Sequence, residues 1–218
     1  MRKVLVLAAC FVFLMAGAAQ AAFVLNYNTS LDKQSVTAVF PDTAPSTKGT
    51  VAGFYNMTFN GSTYWGYCVG YDDVNWDTPY TDYRWLSLPT VQNPPTELQW
   101  KQVAWLYDNT PHSAATQLAI WEILFDSGNY NIEGGTYFKV TNPTTGFVDT
   151  AQTYINQVKD LDLANFDLSS FKLLASPLTG NTYGVPHQDF ITKVPEPGVL
   201  TLLGFGLVAL GITRRRTK

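Results

Sequence analysis

Two stretches near the start of the chain, 23–40 and 48–71, are rich in Val, Thr, Phe and Tyr and broken by turn residues. That is the pattern of strands. Asn60-Gly61, set between Tyr55–Phe59 and Thr63–Tyr67, predicts a two-residue hairpin turn. A type I′ turn there puts Cys68 on the second strand near Gly53 of the first, where a missing side chain leaves room beside the sulfur. Residues 72–95, with Asp-rich patches and Pro79, Pro89, Pro94 and Pro95, read as a long loop. A helix follows: Thr96 with Gln99 forms a capping box, and Trp100, Val103, Ala104 and Tyr107 share one face. A second helix, near Ser113 to Asp126, is apolar on nearly all sides and must be buried. A third spans about Asp149 to Asp160, with Asp149 and Gln152 as its cap and Ala151, Tyr154, Ile155 and Val158 as its face. Residues 162–174 alternate weakly, as a strand returning to the sheet would.

Composition narrows the class. The 218 residues are 46% hydrophobic and 14% aromatic, with only 14% charged, which excludes a disordered chain. Six of the 14 basic residues sit at the two ends, leaving the middle acidic. A surface for nucleic acid needs clustered Lys and Arg, so nucleic acid is excluded as a partner. Residues 1–21 read as a secretory signal: Arg2-Lys3, the apolar run Val4 to Ala16, then Ala19-Gln20-Ala21 as a small-x-small cleavage site. Leu7-Ala8-Ala9-Cys10 also fits a lipobox, but cleavage there would leave Phe11 to Met15 as an apolar stretch on the mature chain. Either way the protein is exported. The folded domain is then 22–175, and 176–193, with Pro177, Gly180, Asn181, Gly184 and Pro186, reads as a linker. The fold class expected is α+β: a sandwich or barrel-like sheet with a small subdomain of two or three helices.

The C-terminus, 194–218, has three parts. Val194-Pro195-Glu196-Pro197 precedes sixteen uncharged residues, 198–213, and then Arg214-Arg215-Arg216. As a helix the uncharged run reaches ~24 Å, enough to cross a membrane with local thinning and arginine snorkelling. The arginines would stay inside and the domain outside. This arrangement resembles the PEP-CTERM sorting signal of exopolysaccharide-producing bacteria. The resemblance implies an exosortase as processing partner, a transient inner-membrane anchor, and release to the cell surface or extracellular matrix.

With Cys10 in the signal, Cys68 stands alone in an oxidising compartment and has no intrachain disulfide partner. Burial as a small hydrophobe is one outcome for it. Gln117, at the start of the second helix, is equally plain alone: a glutamine bonding to backbone or water. Together, Tyr67-Cys68 and the run Thr116-Gln117-Leu118-Ala119-Ile120-Trp121 resemble the thioester (TQXA) domain of bacterial surface adhesins. In that family a Cys sulfur is joined to a Gln side-chain carbonyl with loss of ammonia. The resemblance implies Cys68 as thiol, Gln117 as acyl donor, and Tyr67, Thr116, Ala119 and Trp121 as supporting motif. It also implies covalent attachment to a nucleophile on a partner protein or polysaccharide, and no enzymatic turnover. The chemistry suits these types, since thiolate is a good nucleophile and leaving group, and a helix N-terminus supplies donors to an oxyanion.

His112, five residues before Gln117, is a candidate to aid proton transfer. Two other classes of function compete: a non-covalent matrix or carbohydrate-binding module, and a cysteine hydrolase pairing Cys68 with His112 or His187. Asp72, Asp73, Asp77 and Asp82 are oxygen ligands of the kind calcium takes, but they form no Asp-x-Asp-x-Asp-Gly loop and read as solvated. Tyr64, Trp65, Tyr67, Trp76, Tyr80, Tyr83 and Trp85 are either core and strand pairs or a sugar-stacking set. Neither zinc spacing, phosphate loop nor dinucleotide fingerprint occurs, so no metal or cofactor is expected.

Overall fold

The Asn60-Gly61 turn forms as its residues require. Asn60 and Gly61 hold φ of 53° and 73°, the left-handed pair that type I′ geometry demands, and Phe59 faces Ser62 across it. The computed structural model describes residues 22–41, 46–70, 74–88, 95–126, 128–142, 146–176 and 188–194. In chain order these contain β1 (Phe23–Val39), β2 (Thr47–Phe59), β3 (Ser62–Cys68), β4 (Arg84–Ser87), α1 (Glu97–Asn109), α2 (Ala114–Phe125), β5 (Lys139–Val140), α3 (Phe147–Val158), β6 (Phe171–Ala175) and β7 (Phe190–Lys193). The strands make one antiparallel sheet in the order β4-β6-β7-β3-β2-β1-β5. It is curled into a half-barrel, and with the three helices the fold is α+β. A second facing sheet, as a sandwich would need, is not found among the described residues.

The apolar helix lands where its composition sends it. Every residue of α2 from Ala114 to Leu124 is buried, and the helix packs against α1, α3, β1, β2 and β3. α1 begins with the expected capping box: Thr96 Oγ1 accepts from Gln99 N, and Gln99 Oε1 accepts from Thr96 N. α3 differs from expectation. It starts at Phe147 with Gly146 as its cap and no side-chain bond. Gln152 instead reaches out of the helix, accepting from Ile132 N and donating to Tyr130 O. A long side chain one turn into a helix can serve a neighbouring loop as readily as its own N-terminus, and sequence spacing does not distinguish the two.

Two segments read as irregular contribute strands. Within 72–95, β4 pairs with β6, and Tyr80 bridges to Phe23. Within 176–193, Phe190–Lys193 is β7, inserted between β3 and β6 with Phe190 and Ile191 fully buried. A strand of four residues covered on both faces shows no alternation, so its short run resembled linker. The expected room at Gly53 is also used differently. A Cβ there would meet the Leu31 carbonyl and Lys33 of β1, so the glycine serves the β1 contact. The N-terminal signal, residues 195–218, His187, Asp72 and Asp73 lie outside the described residues. Among the described residues no helix is long and apolar enough to cross a membrane.

Candidate functional site

Cys68 is the last residue of β3. Toward β7 it faces Phe190, and beyond it Val69 N donates to Asp189 O at 2.8 Å. Its own amide and carbonyl turn the other way, toward β2. The β2–β3 ladder reaches only as far as Tyr55 opposite Gly66, because β2 there follows the bulged part of β1. The gap is filled by a side chain. Gln117 Oε1 accepts from Cys68 N at 2.8 Å, and Gln117 Nε2 donates to Cys68 O at 2.7 Å. One carboxamide thus replaces the peptide of a missing strand neighbour, with both residues fully buried.

The first turn of α2 is fastened so that Gln117 can make this reach. Ser113 is the N-cap, its Oγ accepting from Thr116 N. Thr116 Oγ1 donates to Pro111 O at 2.7 Å and lies 2.8 Å from Thr110 Oγ1. Asp32 Oδ2 accepts from Ala114 N at 2.9 Å, placing a carboxylate at the positive end of the helix. Asp32 sits in the bulge of β1 with φ of 44°, a strained conformation for a non-glycine residue. Nothing local in the sequence marks it, since the bulge arises from the register shifts between β1 and β2.

The supporting residues divide. The Tyr67 hydroxyl accepts from Ser113 N at 3.2 Å and lies 3.4 Å from His112 Nδ1. Burial pushes the Tyr67 phenol well up, opposed by its bonds to Thr116 and Ser113. His112 stacks on Phe54 with ring centroids 4.1 Å apart, and burial lowers its pKa below the ordinary value while Asp108 opposes. The ring is therefore neutral near pH 7, and its polar neighbour among the described residues is Tyr67. Ala119 and Trp121 are fully buried; Trp121 meets Phe40 edge-on at 5.3 Å, and its indole N–H has no hydrogen-bond partner among the described residues. Cys68 Sγ donates to Gly70 O at 3.0 Å, and Cys68 is not in a disulfide. The structure thus joins Cys68 to Gln117 through the main chain, with the thiol turned to Gly70.

The remaining candidates disperse. Asp77 Oδ1 accepts from Tyr27 N, and Asp82 Oδ2 from Ser176 Oγ; among the described residues no three metal-ligating side chains gather. Most of the aromatic set pairs with another ring: Tyr64 with Trp85 at 4.9 Å, Phe54 with Trp65 at 5.4 Å, Tyr80 with Tyr83 at 6.1 Å. Trp76 pairs likewise with Tyr27 at 5.0 Å and also lines a cavity.

At the other end of β7, Lys193 Nζ pairs with Asp108 at 2.8 Å and Val194 N donates to Ser170 O. Residues 193–216 match the PEP-CTERM protein-sorting motif. The chain is an exported protein of the kind an exosortase sorts. Its PEP-CTERM segment begins on the last residue of β7, so the sorting motif follows the sheet without a spacer. No curated protein and no solved structure matches the chain.

Proposed function

We propose that this PEP-CTERM protein is a covalent adhesin whose reactive group is a thioester between Cys68 and Gln117. The single observation that supports this reading is the buried clamp of the Gln117 carboxamide on the Cys68 main chain. The Cys68 N–H on Gln117 Oε1 draws electrons from the acyl carbon and would carry the oxyanion formed on attack. The Cys68 carbonyl holds Nε2, the atom that must leave. Rotation of the thiol away from Gly70 lets sulfur attack the Gln117 Cδ. The C–S bond forms, the C–N bond breaks, and the thiol proton departs with the amide nitrogen as ammonia. A partner amine or hydroxyl then attacks the same carbon, the C–S bond breaks, and the displaced proton returns to sulfur. Burial slows hydrolysis of the stored acyl group.

Intact-mass measurement tests this. The mature wild-type protein is expected to be one ammonia lighter than its sequence, and methylamine should add once while one titratable thiol appears. Cys68→Ala and Gln117→Ala should each have full mass and take up no amine. A wild-type protein of full mass with a free thiol and no amine uptake overturns the proposal. A second reading, a non-covalent matrix or carbohydrate-binding module, is favoured by the thiol's bond to Gly70, since the clamp then only completes the hydrogen bonding of β3.

A further inference from the structure

A cavity of about 200 Å³ is lined among others by Thr50, Tyr55, Val74, Trp76 and Gln188. One of these residues links it to the Cys68 thiol. Gln188 Nε2 donates to Gly70 O at 3.5 Å, the same carbonyl that Cys68 Sγ meets at 3.0 Å. A group entering this cavity therefore meets, across Gln188, the carbonyl that holds the Cys68 thiol.

The walls state what kind of group fits. Trp76 is half-buried, on a turn tied to β1 by Asp77 N to Leu25 O and by the paired bonds of Phe23 with Tyr80. Tyr27 meets its indole edge-on at 5.0 Å. Asp77, next in sequence, closes this turn with φ of 54°, its Oδ1 accepting from Tyr27 N. The Thr50 hydroxyl and Gln188 amide add donors and acceptors to the aromatic surface. The described lining residues carry no charge, and the Lys33 ammonium lies 5.9 Å from the Trp76 ring centroid, so a second cation is disfavoured beside the indole. A sugar ring matches: its C–H face packs on indole while its hydroxyls bond to neutral polar groups.

We infer that this cavity is the acceptor site of the thioester and that its ligand is a sugar ring, the nucleophile being an amine or hydroxyl of that ring. The inference rests on the thioester reading for the transfer step and on the cavity alone for sugar binding. In the transfer the sugar nitrogen or oxygen bonds to the Gln117 acyl carbon, the C–S bond breaks, and the nucleophile's proton passes to the Cys68 thiolate.

The test compares glucosamine with methylamine on the full-length exported protein, reading adduct formation by intact mass. Trp76→Ala removes the stacking surface. Gly49→Phe fills the cavity from a position where a Cβ meets nothing within 4 Å, so it does not depend on the Trp76 turn surviving. Each variant should slow glucosamine uptake about tenfold, equivalent to ~1.4 kcal/mol of lost binding, and leave methylamine uptake within about twofold. N-acetylglucosamine, whose amine is blocked by acylation, should compete with glucosamine and spare methylamine. Equal slowing of both amines, slowing of neither, or faster uptake of Nα-acetyl-lysine than of glucosamine overturns the sugar site. If wild type takes up no amine at all, the thioester reading fails, and the sugar site is read from indole fluorescence. Saturable quenching by N-acetylglucosamine that Trp76→Ala abolishes then supports the site; no quenching overturns it.

Discussion

Glu122 shows how a single buried residue sets a property of the whole domain. It lies on α2 with no exposed surface; its Oε1 accepts from Asn131 N at 2.8 Å and its Oε2 has no partner among the described residues. Burial pushes its carboxyl up to about 7 from an ordinary 4.5; the Asn131 bond opposes this and Asp126 adds to it. Between these values the folded protein keeps a proton that the unfolded chain has released. Glu122 therefore costs no stability below about pH 4.5, and folding stability falls as pH rises through about 7. Urea midpoints should drop between pH 5 and pH 8, and Glu122→Gln should flatten that slope. A slope unchanged in the variant assigns the effect to other groups. Gln117 is the opposite case at the same scale. Both its polar atoms are satisfied by one main-chain residue, so its position is fixed without any exposed contact.

At the scale of elements, the β3–β7 contact tolerates no added side chain. Gly66 faces Thr192, and a Cβ at Gly66 would stand 2.2 Å from the Ile191 carbonyl and 2.8 Å from Met57 Cε. The obstruction is backbone, which cannot swing aside. Gly66→Ala should therefore cost about 1–3 kcal/mol or more, seen as a lower denaturation midpoint. Wild-type stability in the variant would mean that β7 does not pack against β3 in this way. The helices follow a milder logic. The Thr96–Gln99 capping box was legible because its donors and acceptors are local, four residues in one turn. The start of α3 was not, because Gln152 is claimed by the loop at Tyr130 and Ile132.

For the whole molecule, the position of β7 governs how the sorting motif is joined to the fold. β7 is an interior strand of the sheet, and the PEP-CTERM match starts at Lys193. Truncation after Val194 should leave a folded, cooperatively melting domain. Truncation after Gln188 removes Phe190 and Ile191 from the core and both ladders of β7, and should abolish cooperative unfolding by circular dichroism. A folded domain from the shorter chain would contradict the topology. Processing that keeps Lys193 and Val194 leaves intact the Lys193–Asp108 ion pair and the Val194–Ser170 bond.

Local chemistry wrote much of this protein into its sequence. Asn60-Gly61 fixes the hairpin because few other residues accept its two left-handed conformations. The apolar run of α2 declares its burial, and the three-part C-terminus declares export and sorting by residue type and order alone. The pairing of Cys68 with Gln117 was legible as a pair of residue types at two element ends. That the carboxamide docks on the Cys68 main chain was not, since it requires β2 to turn away along the β1 bulge and leave two hydrogen bonds of β3 open. Likewise β7, the support of Asp32 under α2 and the cavity beside Trp76 arise from contacts between segments far apart in the chain. Periodicity and spacing report on neighbours within one element. Which strand fills a sheet, and which side chain completes its hydrogen bonds, is decided only when the distant segments meet and every buried polar group must find a partner.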